Sequence, residues 1–75
     1  MMKTYVEIYH NVEGATVSEI FDIMNKLGFE PALGEHEFVY KWDKNVTLPE
    51  VIHFLDTVVK KLKGTRSLLK FTTIH

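Results

Sequence analysis

Apolar and polar residues alternate from the start of the chain. Thr4, Val6 and Ile8 fall on one side, and Tyr5, Glu7 and Tyr9 on the other. Side chains on a strand switch faces at every residue, so the segment predicts a half-buried β-strand with one face on a core. It runs into His10 and Asn11, and Val12-Glu13-Gly14-Ala15 reads as a loop in which Gly14 is free to take positive φ. The period then changes to helical. Val17, Ile20, Phe21, Met24 and Leu27 form one stripe, and Thr16-Val17-Ser18-Glu19 fits a capping box at its start. Lys26 sits in the last turn and Gly28 ends the helix. Phe29 to Leu33 alternates again, but Pro31 lacks a ladder N–H, which places this short strand at a sheet edge. Gly34-Glu35-His36 turns the chain into Glu37 to Trp42, a strand rich in aromatics, and the two strands read as a hairpin. After a polar connection, Thr47-Leu48-Pro49-Glu50 is a second capping box. Leu48, Val51, Ile52, Leu55, Val58, Val59 and Leu62 carry the second apolar stripe, expected to be buried. Lys60, Lys61 and Lys63 suit the negative end of that helix, Gly64 ends it, and Leu68 to Ile74 is the last strand.

The order β-α-β-β-α-β is the split βαβ pattern of ferredoxin-like α+β sandwiches. Right-handed crossovers then give a four-stranded antiparallel sheet in the order 4-1-3-2, with both helices on one face. Lys41 and Lys70 fix which side chains point where, because a lysine in a small core is costly. Phe38, Tyr40, Trp42, Leu69 and Phe71 therefore face the helices. The open face carries Tyr5, Glu7, Tyr9, Val39, Lys41, Lys70 and Thr72, with Glu30 and Ala32 toward one edge.

Composition narrows the function more than it names one. Seventy-five residues make one small domain with little excess stability, for which association is a common remedy. With no cysteine, disulfides, thiolate metal sites and thiol chemistry are excluded. No signal peptide follows Met1-Met2-Lys3, and no apolar run approaches the roughly 20 residues needed to span a bilayer. A cytoplasmic protein without membrane contact is expected. Nine Lys and Arg against ten Asp and Glu leave a net charge of −1, so nothing pulls the chain toward phosphate backbones in general.

Candidate chemistry is sparse. The end of the first strand (His10, Asn11), the Gly14 loop, the Gly34 to His36 turn and the Gly64-Thr65-Arg66 loop should gather at one end of the sandwich. A helix N-terminus lies there too. Such an end suits an anionic small ligand held by His10, Asn11, Gly14, Gly34, His36 and Arg66. Glycines that merely end helices and turn hairpins explain the same residues. Of the four histidines, His10, His36, His53 and His75, none has the i, i+4 partner of a helical zinc motif, and no metal or cofactor is expected. Ser18 and Ser67 lie outside any Gly-x-Ser-x-Gly elbow, and no G-x-G-x-x-G or Walker pattern occurs, so the expected function is not catalytic. Single-strand RNA or DNA binding by the open face is the alternative. In the register set by Lys41, however, the aromatics Phe38 and Tyr40 turn inward, and His36-Glu37 stands where RNA-recognition motifs have basic and glycine residues.

Two stretches carry likenesses to known families. Asn11-Val12-Glu13-Gly14, followed by a helix through Ile20 and Leu27 to Gly28-Phe29, resembles the start of an ACT domain. That likeness implies a regulatory module binding amino acids at subunit interfaces near the loop glycine, here Gly14; the proline usual before it is Glu13. The second half, Val39 to Ile74 with Thr72-Thr73-Ile74 at its end, resembles the thiamine-binding-like family, whose domains assemble through their sheets. The Gly-Thr of that family's hairpin is Gly34-Glu35. Both likenesses imply a non-catalytic domain that oligomerises. On residues alone, Tyr5, Tyr9 and Val39 are poorly suited to water, while Glu7, Lys41 and Lys70 are placed to pair across a two-fold axis.

Overall fold

In the computed structural model, which describes residues 2–32, 37–43 and 45–74, six elements follow in the expected order. They are β1 (Lys3–Tyr9), α1 (Val17–Lys26), β2 (Glu30–Pro31), β3 (Glu37–Lys41), α2 (Leu48–Leu62) and β4 (Leu68–Ile74). The strands form one antiparallel sheet in the order β2-β3-β1-β4, which is 4-1-3-2 read from the other edge. The chain is thus α+β, with β1 in the centre and β4 a full-length edge.

Both capping boxes are present. The Thr16 hydroxyl accepts from Glu19 N–H at 3.2 Å and the Thr47 hydroxyl from Glu50 N–H at 3.4 Å, while each glutamate accepts from its threonine's N–H. Both helices end as their glycines require, with Gly28 at φ +96° and Gly64 at φ +94°. Of the strand expected over Phe29 to Leu33, Glu30–Pro31 is paired, and Leu33 lies outside the described residues. The register is Glu30 opposite Val39 and Pro31 opposite Phe38. Phe29 faces the core, Pro31 has no ladder N–H to give, and Ala32 N–H reaches Glu37 C=O at 3.1 Å. The third strand stops at Lys41, one residue before Trp42.

One core lies between the helices and the inner sheet face. Val6 and Ile8 of β1 pack with Ile20 and Met24 of α1, Val58 and Leu62 of α2, and Phe29. Phe38, Tyr40, Leu69 and Phe71 pack against it from the same side of the sheet, as the position of the lysines requires. The helical stripes are less buried than their period suggests. Val17 and Phe21 on α1, and Leu48, Ile52 and Val59 on α2, are exposed. A helix lying on a sheet buries a band narrower than the apolar band these sequences carry, so the outer flank of each stripe stays in water.

A polar chain crosses this core. Trp42 Nε1 donates to Thr4 Oγ1 at 2.9 Å, and Thr4 Oγ1 lies 2.9 Å from Thr73 Oγ1. Thr4 is fully buried, so its hydroxyl is the partner that makes burial of the indole N–H affordable. Thr4→Val is nearly isosteric but leaves that N–H unpaired, and it should lower stability by about 1–3 kcal/mol. A urea titration followed by the single tryptophan measures this, and an unchanged midpoint would show the hydroxyl to be dispensable.

Candidate functional site

The open sheet face is ordered in rows by the strand registers, because residues directly opposite each other share a face. Across the middle run Glu30, Val39, Tyr5 and Thr72. Two residues along, one row is Lys41, Lys3 and Ile74, and on the other side lies Glu37, Glu7 and Lys70. Tyr9 stands opposite Leu68 at the far end. Tyr5, Glu7, Tyr9, Lys41 and Lys70, the expected surface residues, therefore all lie on this face. Val39 lies on this face too, as expected, but is already covered. It is only 7% exposed, because in the middle row it is flanked by Tyr5 on one strand and Glu30 on the other, so water does not reach it. The exposed apolar side chains here are Tyr9, Leu68 and Ile74, with Tyr5 half-buried.

Local polar contacts hold some of these groups in place. Lys41 Nζ lies 3.3 Å from Glu30 Oε2 across the β2–β3 pair. The Tyr9 hydroxyl donates to Glu7 Oε2 at 2.7 Å. That hydrogen bond, together with the carboxylate's negative charge, raises the Tyr9 phenol above its ordinary value. The phenol therefore keeps its proton near neutrality and donates it to Glu7.

At the loop end, the structure joins the Asn11–Gly14 turn to the Thr65-Arg66 loop. Gly14 N–H donates to Asn11 C=O at 2.9 Å, Glu13 N–H to Asn11 Oδ1 at 2.9 Å, and Ala15 N–H to Thr65 C=O at 3.2 Å. Gly14 passes so close to Thr65 that an added Cβ would lie 1.9 Å from its carbonyl oxygen. The glycine is needed for that approach. Positive φ, the expected reason, belongs to Gly28, Gly64 and Arg66 and not to Gly14. Arg66 reaches Glu13 at 3.8 Å in the open. Asn11, Gly14 and Arg66 thus meet around this junction.

His10 lies elsewhere, lining a cleft of about 210 Å³ between α1 and the β2–β3 edge. Val17, Ile20, Phe21, Pro31, Glu37 and Phe38 share its walls. Gly34 and His36, the other expected ligand contacts, lie outside the described residues, as does His75. The first-turn amides of α1 are engaged by its own capping box, with Glu19 beside them and Glu13 one loop away. That places negative charge where an incoming anion would bind.

Two features escaped the sequence reading. A groove of about 280 Å³ runs between α2 and the β4 edge, lined by Met2, Val46, Leu48, Ile52, Leu55 and Phe71. Another, around His53, is walled by Trp42, Pro49 and Phe54. The available signal was the width of the α2 stripe, seven apolar positions where a helix on a sheet needs fewer. Among the described residues no three His, Asp or Glu side chains gather as a metal site, and no helix is long and apolar enough to cross a membrane. Comparison with protein-family models, curated proteins and solved structures finds no match to this chain.

Proposed function

We propose that the chain is a ferredoxin-like, non-enzymatic domain that self-associates through the open face of its sheet. The observation that carries this reading is the asymmetry of the sheet. Both helices pack on the inner face, whereas the outer face carries Tyr5, Tyr9, Leu68 and Ile74 with no layer above them among the described residues. Layered folds bury such faces against a second layer, and a second sheet of the same kind is a ready one. The cleft beside His10 and Glu37 supports an accompanying role in holding a small, largely apolar metabolite.

Tyr5→Glu together with Tyr9→Glu places carboxylates in the middle of the proposed contact. Light scattering at two concentrations should show an associated wild type and a variant bound at least ~10-fold more weakly. Identical masses for the two proteins would remove this face from consideration. Single-strand nucleic-acid binding by the same face draws support from Tyr5 and Tyr9 as stacking platforms. Glu7 and Glu37 beside them, and the inward turn of Phe38 and Tyr40, count against it. Its mark would be an affinity for RNA that falls steeply with salt.

A further inference from the structure

The open face carries two like-charge cross-strand pairs, each with one member already beside an opposite charge, Lys41 near Glu30 and Glu7 opposite Lys70. Lys3 lies directly opposite Lys41, and Glu7 directly opposite Glu37, on β1 and β3. Like charges facing each other across a strand pair destabilise a sheet, and this one has two such pairs of opposite sign. They flank the Tyr5–Val39 row symmetrically, one row to each side, about 7 Å along the strands. Their spacing is what a two-fold axis needs.

Resting on the self-association proposed above, we infer that a second copy of this chain covers the face in one orientation. Its two-fold axis lies between the sheets, crosses the strands at right angles and passes over the Tyr5–Val39 row. Such an axis keeps β1 over β1 and β3 over β3 but reverses their direction. Lys3 then stands over Glu7 of the second copy and Lys41 over Glu37, and both pairs are repeated by symmetry. Tyr5 and Val39 meet their own counterparts at the centre, as does Glu30 at the β2 edge, one like-charge contact against four of opposite charge. Lys70 lands on Ile74, where its methylenes cover apolar surface and its ammonium reaches the rim. Facing sheets stand about 10 Å apart, a gap that a lysine and a glutamate side chain bridge together. An axis parallel to the strands would instead set lysines on lysines and glutamates on glutamates. On balance charge selects the crossed axis, in which each like-charge pair gains two partners of the opposite sign.

The test uses three charge variants of the full chain, with circular dichroism as the check on folding. Lys3→Glu plus Lys41→Glu makes the four positions 3, 7, 37 and 41 all acidic, and Glu7→Lys plus Glu37→Lys makes them all basic. Each alone should associate about 100-fold more weakly than wild type, and an equimolar mixture of the two should recover a mixed dimer. The fourfold exchange, carrying all these substitutions in one chain, keeps the net charge. It should dimerise with itself as wild type does and fail to pair with wild type. If the acidic or basic variant does not fold, the fourfold exchange decides the matter alone. Undiminished self-association of the acidic and basic variants overturns the orientation while leaving the self-association itself standing. So does a fourfold exchange that prefers wild type to itself, which would mark the parallel axis. A wild type that stays monomeric at every concentration removes both.

Discussion

Gly14→Ala should destabilise the protein by about 2–4 kcal/mol, although the backbone at this position suits any residue. The methyl group would sit 1.9 Å from the Thr65 carbonyl oxygen, a separation no contact tolerates, and backbone cannot swing away as a flexible side chain does. The two loops must part. Parting them breaks the Ala15 N–H to Thr65 C=O bond and disturbs the small network that ends α2. There the Thr65 hydroxyl donates to Leu62 C=O at 2.7 Å and lies 3.2 Å from the Ser67 hydroxyl. Thr65 is buried, so groups released there lose their partners without gaining full hydration. Urea unfolding gives the magnitude, and faster hydrogen exchange at Ala15 and Thr65 locates it. Gly28→Ala is the internal comparison. It is strained by its φ of +96° but meets only the edge of the Tyr40 ring, at 3.1 Å, and should cost about 1 kcal/mol. A Gly14→Ala protein as stable as wild type would return this glycine to the ligand-contact role that the ACT-like stretch implies.

Gly14 also shows what the sequence could and could not say. Local signals were legible because local physics sets them: the capping boxes at Thr16 and Thr47, the glycine stops at Gly28 and Gly64, and the period of each element. Strand order followed from element order and handedness, and the face of each residue from two lysines that had to stay wet. What depended on a distant partner was not legible. Gly14 read as a loop glycine free to adopt positive φ, whereas its reason is Thr65, fifty-one positions away in the chain. Thr4 read as one more small residue on an alternating strand, whereas its hydroxyl serves the indole of Trp42. Val39 read as exposed because its face was open, but its neighbours on β1 and β2 already cover it. The candidate site divides along the same line. The residues of the open face were placed correctly by register alone. At the loop end Asn11, Gly14 and Arg66 meet, His10 lines the cleft beside Glu37, and Gly34 and His36 lie outside the described residues.

Phe54→Ala should be the most damaging substitution in α2, at about 3 kcal/mol. Phe54 stands beside the buried Val51 and Val58 on its helix, outside the stripe named from the sequence, and much of its value comes from the rings around it. Its centroid is 4.5 Å from Tyr40, 5.3 Å from Trp42 and 5.7 Å from Phe29. Tyr40 in turn touches both other rings, at 4.8 Å from Trp42 and 5.5 Å from Phe29. Removing one ring from such a cluster loses the burial of that side chain and a share of every aromatic pair it made. The half-exposed edge of Phe54 lets water fill part of the gap, which sets the cost at the lower end for a phenylalanine truncation. Against the roughly 4–11 kcal/mol expected for a domain of this size, that loss leaves about 1–8 kcal/mol, a large fall in the unfolding midpoint. Tryptophan fluorescence reports the change directly, since Trp42 is the only indole and stands edge-on to Phe54. Phe54→Leu should recover about half the loss by refilling the volume without the ring contacts. The cluster lies on the helix side of the sheet, away from the open face. At temperatures where the Phe54→Leu protein is fully folded, its self-association should therefore equal that of wild type. A Phe54→Leu protein that is folded but no longer associates would mean that the helix layer, and not the open face, holds the copies together.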